Sequence, residues 1–230
     1  MGVIAVPGSG KTWTLSLLAA DLIASGVLED DQEVLVVTLV NSAVHNFQQR
    51  VASFLESKHL LPYLGIRVRT LHGLAHDLVR ERPSLVNLDD NFQIIDENEA
   101  GRIRTQIATT WLSSHPEFIE NYLSPDLNEG SRSKVLRKDL PSLVGDLANV
   151  FIRMVKDLRL TPERLEVLLE DLPLPLPLAQ MGLDMYLDYQ RALAYRGMVD
   201  FDDLIGLALQ ALEMDPDYLG RWQQRWPYIL

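Results

Sequence analysis

A glycine-rich turn near the start of the chain restricts the possible folds more than any other feature of the sequence. An apolar run at residues 2–6 leads into this turn, which reads Ala5-Val6-Pro7-Gly8-Ser9-Gly10-Lys11-Thr12. The turn fits the phosphate-loop pattern, with Ala in place of the first Gly. Such a loop points backbone N–H groups inward around a polyphosphate, which requires glycines in conformations that other residues rarely adopt. The pattern therefore predicts a strand, a nucleotide-binding loop and then a helix over residues 11–25.

Two side chains of the turn have predicted chemical roles. The ammonium group of Lys11 would reach the outer phosphates of a nucleotide, and the hydroxyl of Thr12 would join the ligand shell of a bound Mg²⁺. The helix that follows adds its amino-terminal end, which favours anions. The alternative interpretation is a plain glycine-rich turn between a strand and a helix. The apolar run before the turn and the amphipathic helix after it favour the nucleotide site.

Strands and helices continue to alternate up to Pro83. Residues 34–38 form an apolar, β-branched run that is typical of a strand covered on both faces. Residues 66–70 alternate apolar or hydroxyl side chains with arginines, which predicts a second strand. Helical spacing follows each strand, over residues 44–55 and 71–79, and Pro83 ends the second of these helices. This alternation is typical of the α/β class.

The next hundred residues are predicted to be mostly helical. Residues 92–95 look like one more strand, and helical patterns then fill residues 97–196. One helix is predicted from an apolar stripe with helical spacing, made of Leu143, Leu147, Phe151, Met154 and Leu158. Thr161 is predicted to cap a further helix. Residues 172–177, with three prolines, are predicted to form an extended connector.

After Gly197 the sequence returns to a mixed pattern. A helix is predicted to begin within residues 199–204, with Asp200 as its cap and Asp203 in its first turn. Residues 226–230 look like the opening of another strand.

The composition restricts the surroundings and partners of the protein. The chain has no cysteine, which fits a cytoplasmic location, and no stretch approaches the roughly 18 uninterrupted apolar residues of a membrane span. The formal net charge of −11 excludes a uniformly basic, nucleic-acid-binding coat. Basic stretches remain, because residues 131–164 carry eight Lys/Arg against four Asp/Glu, and residues 65–84 carry four Arg against two acidic residues. The charge therefore leaves DNA binding open.

Polar residues follow both strands of the α/β half. Thr38 and Asn41 come at the end of the first strand, and His72 follows the second. The carboxyl ends of strands in open α/β sheets carry ligand-binding loops, so these three residues are candidates for a binding role. The alternative is local: Thr38 and Asn41 can serve as a turn and a helix cap, and His72 can make a hydrogen bond at a helix start.

Together, in this order and spacing, the segments resemble the UvrD/Rep/PcrA family of superfamily 1 helicases. The glycine-rich turn matches the family's first motif, including its Ala. Residues 37–43 resemble the family's Thr-Phe-Thr-Asn-Lys-Ala-Ala, and residues 70–74 are similar to its Thr-Phe-His-Ser-Phe. Residues 91–96 and 199–204 match segments that flank a helical insertion in this family. Leu39 and Leu71 stand where aromatic residues are usual, and Ser42 replaces a lysine, so a weaker or differently shaped grip on DNA is expected.

The resemblance implies a RecA-like phosphate-loop NTPase core, an α/β fold with an incomplete parallel sheet, that is interrupted by a mostly helical subdomain. The core would comprise residues 1–96 and 197–230, and the inserted subdomain residues 97–196. The implied ligands are ATP and Mg²⁺ at the turn, and single-stranded or duplex DNA at Thr38, Asn41 and His72. The implied activity is ATP-dependent DNA unwinding with 3′-to-5′ polarity in replication or repair.

The resemblance also implies that parts of the motor lie outside these 230 residues. In the family, the strand that matches residues 228–230 leads into an Asp-Glu-x-Gln-Asp motif, whose carboxylates hold Mg²⁺. A second core supplies an arginine, and an upstream glutamine segment contacts adenine. The chain is therefore expected to be the amino-terminal part of a helicase, with the remainder as its partner, and to be nearly inert alone. The alternative is a catalytically inactive nucleotide- or DNA-binding remnant, and the coding sequence directly after Leu230 would distinguish the two.

Overall fold

The computed structural model describes residue 6 and residues 8–120, 128–135 and 139–230. Within these residues the fold is mixed α/β and mostly helical. The strands are β1 (Val34–Thr38), β2 (Ile66–Thr70), β3 (Gln93–Ile95), β4 (Met198–Asp200) and β5 (Tyr228–Ile229). The helices are α1 (Lys11–Ala24), α2 (Asn41–Ser57), α3 (Leu71–Glu81), α4 (Glu97–Ser114), α5 (Pro116–Glu120), α6 (Glu129–Lys134), α7 (Leu140–Asp157), α8 (Pro162–Glu170), α9 (Pro177–Tyr195), α10 (Asp203–Met214) and α11 (Pro216–Arg225), with a short 3₁₀ turn at Pro83–Val86.

The chain divides into two compact units. The first comprises the residues up to Asn87 together with Leu207–Leu230, and the second comprises Leu88–Gly206. The domain boundaries predicted from the resemblance, after residues 96 and 196, lie inside the second unit and stay a prediction. Of the helices in the described ranges, none combines the length and apolarity that crossing a lipid bilayer requires.

The first unit is built on a parallel sheet with the strand order β2-β1-β5. The core consists of β1 and β2 side chains packed against buried residues of α1 and α2: Ala19, Ala20, Val34, Val36, Phe47, Val51, Leu55 and Val68. The predictions of both strands and both following helices are confirmed, and α1 ends just before Gly26, which has a φ of 71°. The predicted strand at residues 2–6 lies, apart from Val6, outside the described residues.

Helix α11 is fixed within the first unit by a buried tyrosine and an acidic anchor. The Tyr218 side chain is fully buried, and its hydroxyl donates a hydrogen bond of 2.7 Å to the Leu78 carbonyl in the last turn of α3. The Glu33 carboxylate accepts from the Trp226 indole at 3.1 Å and from Arg225 at 3.3 Å. Burial alone would raise the pKa of Glu33, but these donors and the nearby arginines lower it.

The second unit is a helical cluster that carries a small parallel sheet of β3 and β4. Its core is formed mainly by α4, α7 and α9 and includes the buried residues Ile95, Ile103, Ile152, Val155, Leu183, Tyr189 and Leu193. The close approach of α7 and α9 requires Gly182, because a Cβ there would lie 2.6 Å from the Phe151 ring. The helical prediction for this part is confirmed in the described residues, and Thr161 caps α8 by accepting from the Arg164 amide at 3.3 Å.

A buried polar cluster joins α7, α9 and β4 inside the second unit. The Lys156 ammonium lies 3.2 Å from Asp200 and 2.8 Å from Asp203, and the Tyr189 hydroxyl donates to Asp200 at 2.7 Å. Burial tends to raise the pKa of Asp200, but Lys156 and Tyr189 hold it below its usual value. Burial raises the pKa of Asp203 despite Lys156, and burial together with Asp200 raises that of Tyr189. The cluster therefore combines one cation with two carboxylates in a largely dehydrated place.

Three predicted features differ from the structure. Residues 198–200 pair with β3 as strand β4, so the helix predicted to start with Asp200 as its cap begins at Asp203 instead. Asp200 still accepts a hydrogen bond from the Asp202 amide, at 3.2 Å. The connector predicted over residues 172–177 is one residue shorter, because α9 begins at Pro177. The helix predicted from the apolar stripe is confirmed as α7; Leu143, Leu147 and Met154 of that stripe are exposed, and a different row faces the core.

Candidate functional site

The glycine-rich turn adopts a backbone that only glycines accept readily. Gly8 and Gly10 have φ angles of 80° and 85°, in the left-handed region. Within the described residues, and apart from its chain neighbours, no atom lies within 4 Å of a Cβ built at either position, so the left-handed backbone itself is what requires glycine there. The open space beside both residues fits a loop that bends around a ligand.

The rest of the turn folds over the Val6 carbonyl. The Ser9 amide and the Ser9 hydroxyl donate to this oxygen at 3.2 and 2.7 Å, and the Lys11 ammonium donates to it at 2.8 Å. These side chains are exposed. Exchange of one neutral carbonyl for a phosphate oxygen would give Lys11 a stronger, charge-assisted hydrogen bond. Ala5 and Pro7, the other predicted nucleotide-binding residues, lie outside the described residues.

Helix α1 begins directly at the turn and presents an end suited to an anion. Gly10 occupies the N-cap position, so no side chain caps the helix there, and the first turn carries no acidic residue. Thr12 is exposed in this first turn, while its carbonyl accepts from the buried Ser16 hydroxyl at 2.7 Å. The amino-terminal partial charge of the helix therefore meets Lys11 and Thr12 without a competing carboxylate from that turn.

Trp13 is a residue of this region that the sequence patterns did not single out. Half of it is exposed, and its ring meets Phe54 of α2 edge-on, with the ring centroids 5.7 Å apart. Tryptophan is usually well buried, so its exposure beside Lys11 and Thr12 makes it a useful spectroscopic reporter of this site. Only its position next to the turn could have indicated this from the sequence.

The two strand-end segments lie at the same edge of the sheet. Thr38 and Thr70, the last residues of β1 and β2, are paired in the parallel register. Asn41 starts α2, and His72 lies in the first turn of α3. The structure thus brings Thr38, Asn41 and His72 to the carboxyl edge of one sheet, the edge where ligands bind in open α/β folds.

The alternative roles of Thr38, Asn41 and His72, as turn and helix-start residues, are only partly supported by the hydrogen bonds. The Thr38 hydroxyl donates to the Val40 carbonyl at 3.1 Å, which is a turn contact. No side chain caps α2, so Asn41 is not used as its cap. Thr70, not His72, caps α3 by accepting from the Gly73 amide at 3.1 Å. Asn41 is therefore not required as the cap of α2, and His72, the second residue of α3, is not required as the cap of that helix.

Apolar side chains are exposed beside these polar residues. Leu39 is 85% exposed and Val40 55% exposed in the segment between β1 and α2, and Leu71 is exposed at the start of α3. Exposed apolar groups in a short segment contribute nothing to the core, so they are available for contact with a flat apolar surface. Val40 was missed by the sequence reasoning because a single apolar residue in a loop gives no periodic signal.

The arginines of β2 do not form an open basic surface. Arg67 lies 3.5 Å from Glu33, and Arg69 donates to Asp77 at 2.8 Å. They line a groove of about 400 Å³ together with Asp77, Arg80, Glu81, Trp222, Arg225 and Trp226. Ion pairs within the first unit therefore account for part of the basic stretch at residues 65–84.

The described residues form a mixed α/β protein, mostly helical with small parallel sheets, in which a glycine-rich turn leads directly into helix α1. Over residues 1–230 the chain matches the family model of the UvrD/REP helicase N-terminal domain, and it belongs to that family. It is 27% identical over 228 residues to DNA helicase II of Haemophilus influenzae. It is 26% identical over 227 residues to the ATP-dependent DNA helicase PcrA of Leuconostoc citreum, and 26% identical over 229 residues to the ATP-dependent DNA helicase UvrD1 of Mycobacterium tuberculosis.

These alignments cover different shares of the proteins compared. Each spans 99% of this chain but only 27%, 26% and 26% of the three relatives, respectively. The chain thus spans about a quarter of the length of the curated relatives it matches. The resemblance to the UvrD/Rep/PcrA helicases noted from the motifs is confirmed.

Proposed function

We propose that this chain is the ATP- and DNA-binding front part of the motor of an ATP-dependent 3′-to-5′ DNA helicase acting in replication or repair. The observation that carries the proposal is the pair of left-handed glycines, Gly8 and Gly10, directly before the uncapped start of α1. In a member of the UvrD/REP family, this geometry is best explained by a bound nucleotide triphosphate tail.

The residues present fit ATP with Mg²⁺. The amides of the turn and the Lys11 ammonium would neutralise the outer phosphate oxygens, and the Thr12 hydroxyl would supply one ligand to the metal. Mg²⁺ supplies charge neutralisation at the phosphates when bound. In the described part of the chain no group of three or more His, Cys, Asp or Glu side chains could hold a metal ion by itself. Thr12 would therefore act with water, phosphate oxygens and other ligands.

The proposed architecture follows the family. Residues 1–96 and 197–230 would form a RecA-like core, and residues 97–196 an inserted helical subdomain. The parallel strands β2, β1 and β5, with α1 and α2 packed on them, support the core assignment. The helices α4 to α9 support the insertion.

Single-stranded DNA is proposed to cross the carboxyl edge of the sheet. Asn41 and His72 would donate or accept hydrogen bonds to phosphates or bases, and Thr38 would hold the turn that presents them. The exposed Leu39 and Leu71 would contact bases or sugars through dispersion only. Because base stacking on an aromatic side chain is worth about 1–3 kcal/mol, leucines at these positions predict a weaker grip than an aromatic pair would give.

Nucleotide binding is tested by calorimetric titration of Mg·ATP into the chain and into Lys11→Ala. We expect affinity to fall at least tenfold in the variant, because one charge-assisted contact to phosphate is lost. Lys58→Ala is the matched control, since Lys58 is a surface residue of the same unit that pairs with Asp21 at 2.6 Å. Equal affinity in all three proteins, with unchanged far-UV spectra, would remove the basis of the proposal.

Trp13 offers an independent readout of the same site. Its fluorescence is expected to change on addition of Mg·ATP, and Trp13→Phe is expected to lose this change while Trp111, Trp222 and Trp226 remain. An equal change in the Trp13→Phe protein would mean that the nucleotide binds elsewhere.

The alternative function is a nucleotide- or DNA-binding remnant without catalysis. The whole motor is proposed to work only with the further segments that its longer relatives possess, so this 230-residue polypeptide is expected to bind ATP without sustained turnover. The two functions are separated by assaying the longest protein that contains this chain. DNA-stimulated phosphate release that Lys11→Ala abolishes supports the helicase, and binding without release supports the remnant.

A further inference from the structure

The loop between α2 and β2 exposes a cluster of apolar side chains. Leu61, Tyr63 and Leu64 are 71%, 62% and 65% exposed. Leu60 of the same loop and Val27 of the loop between α1 and β1 are exposed as well. We name these five residues the apolar loop surface. Single apolar residues scattered over a protein surface are ordinary, whereas a group of them in one place is typical of an interaction site.

The two loops that carry this surface lie against each other. A Cβ built on Gly65 would lie 3.4 Å from the Ile23 side chain and 3.5 Å from that of Leu28. Val27 directly precedes the second of these residues, and Leu64 directly precedes the glycine. The apolar side chains of both loops therefore belong to one region of the first unit.

Backbone geometry holds the loop between α2 and β2 in place. At its start the Leu60 amide donates to the Leu55 carbonyl at 3.0 Å, and His59 is left-handed with a φ of 61°. This is the pattern of a Schellman helix end. Tyr63 is also left-handed, with a φ of 68°, a conformation in which a bulky residue is strained. Because such strain is typical of functional positions and the Tyr63 ring is mostly exposed, it points to a contact outside the fold.

The apolar loop surface lies at the amino-terminal edge of the sheet. The two loops lead into Val34 of β1 and Ile66 of β2, which are paired. The candidate DNA-binding residues follow the opposite ends of these strands. The glycine-rich turn lies beyond the other end of α1, whose 14 residues span about 20 Å. A partner at this surface would therefore not compete directly with nucleotide at the turn or with DNA at the carboxyl edge.

Three consecutive acidic residues border the surface. Glu29, Asp30 and Asp31 follow Leu28 in the loop between α1 and β1, and all three are exposed. Among the residues that the structure describes, no basic side chain lies within ion-pairing distance of these carboxylates. Basic groups of a partner would thus find acceptors that are not already paired with a cation. The surface combines apolar contact area with an acidic flank.

We propose that the apolar loop surface binds an amphipathic helix of another protein, with lysines or arginines beside its apolar face. An amphipathic helix presents an apolar stripe next to a polar face, so one segment can cover the leucines and Tyr63 and also reach the acidic run. The surface is far smaller than the roughly 20–30 residues per side of a standard interface, so the binding is weak and reversible.

The charges argue against other occupants. Nucleic acids and anionic lipid surfaces would be repelled by the acidic run. A second copy of this chain, placed with the same surface inward, would bring a second acidic run to the first. A basic helix of another protein meets the apolar and the acidic part of the surface together, which is why it is the occupant that we favour.

Binding of a fluorescent, helix-forming peptide made of leucines and lysines tests the proposal. The protein is the longest one that contains this chain, titrated to about 300 µM because a small interface binds weakly. Fluorescence anisotropy should show reversible binding of this peptide. A peptide with glutamates in place of the lysines is the control and should not bind.

Two pairs of variants locate the bound peptide. Leu61→Ser should weaken binding about tenfold, because a leucine contact is lost. Leu174→Ser, at a leucine of the second unit that is 72% exposed, is its matched control and should bind like wild type. Asp30→Lys should weaken binding at least threefold through lost ion pairing. Asp171→Lys changes the net charge equally at an exposed acid of the second unit and should have no such effect.

Tyr63→Gly separates the contact from folding. Glycine adopts a φ of 68° without strain, so the melting temperature should stay the same or rise while peptide binding weakens. A lower melting temperature would show that the ring supports the fold, and would count against the proposal.

Three outcomes overturn the proposal outright. The first is a lysine peptide that does not bind, as when further segments of the longer protein cover the surface. The second is an equal effect of the two charge reversals, which would mean general attraction to an acidic protein. The third is full binding by Leu61→Ser.

Discussion

Replacement of Lys156 by methionine is the most informative perturbation of the second unit. The Lys156 side chain is only 11% exposed and reaches two carboxylates, Asp200 at 3.2 Å and Asp203 at 2.8 Å. Methionine preserves most of the volume and removes the charge. The variant therefore keeps the packing of α7 and leaves two acidic groups without their shared cation.

The expected loss is large because the remaining charges are buried. Removal of one partner of a buried ion pair costs about 3–5 kcal/mol in the free energy of unfolding. The Asp200 side chain is 7% exposed, so water can do little to compensate, although the Tyr189 hydroxyl still donates to it. An exposed pair behaves differently: Lys58→Met breaks the contact with Asp21, whose side chains are 39% and 52% exposed, and should cost less than about 1 kcal/mol.

The effect of Lys156→Met on the free energy of unfolding should depend on pH in a defined direction. In the wild type the pKa of Asp200 is lowered, so its stabilising contribution is complete above the unfolded value near 4 and is lost as pH falls through the folded value. Without Lys156, burial is the largest remaining influence on the pKa of Asp200 and acts to raise it, and burial already raises the pKa of Asp203. The free energy of unfolding of Lys156→Met should therefore fall furthest below that of the wild type near pH 7.5. The difference between the two proteins should become smaller as pH falls to about 5.

Urea unfolding followed by far-UV circular dichroism at the two pH values measures these differences. The Lys58→Met protein is the control at both pH values. A loss below about 1 kcal/mol for Lys156→Met at pH 7.5, or a loss that does not change with pH, would show that Lys156 does not form a stabilising buried ion pair with these carboxylates.

Three further changes test other parts of the structure. Gly182→Ala should lower the free energy of unfolding by about 1–2 kcal/mol in chemical denaturation. The added Cβ would lie 2.6 Å from the Phe151 ring, and this overpacking outweighs the gain in helix propensity. An increase in the free energy of unfolding would contradict this packing. Tyr218→Phe should cost about 1–3 kcal/mol in the same assay by leaving the Leu78 carbonyl without its buried donor, whereas the exposed Tyr195→Phe should be neutral. Leu39→Phe should tighten single-stranded DNA binding by roughly tenfold in fluorescence anisotropy; Leu61→Phe, before the opposite end of β2, is the control, and an equal effect of both would argue against a DNA contact at Leu39.

Local sequence patterns were sufficient for most of the elements. The run at Val34–Thr38 and the alternation at Ile66–Thr70 are both strands, and Thr161 caps α8 as its sequence context predicted. These features depend on neighbours only a few residues away, so the signals for them are contained in short windows. The same holds for the glycines of the turn, whose conformations the phosphate-loop pattern requires.

Features that depend on distant residues were not predictable in this way. Helix α7 has two apolar rows, and periodicity alone cannot tell which row faces the core, so Leu143 and Leu147 gave no indication of their exposure. The contact of Lys156 with Asp200 joins residues that are far apart in the sequence. Asp200 looked like a helix cap because a carboxylate before a helix usually is one, and only its pairing partner β3 shows that it belongs to a strand.

The pairing of β3 with β4 has a consequence for how this chain can change in evolution or by design. Parallel neighbours must be joined by a crossover, and here the whole stretch from α4 to α9 is that crossover. The register of the β3–β4 ladder is defined by the pairing of Gln93, Ile94 and Ile95 with Met198, Val199 and Asp200, so residues gained or lost within a loop of the crossover need not shift it. A crossover between parallel strands takes a dozen or more residues, usually with a helix. The ladder and the helices are nevertheless one unit, because Ile95 of β3 lies in the helical core and Asp200 of β4 contacts Lys156 of α7. Changes of length between the strands are therefore tolerated only where they leave these contacts in place.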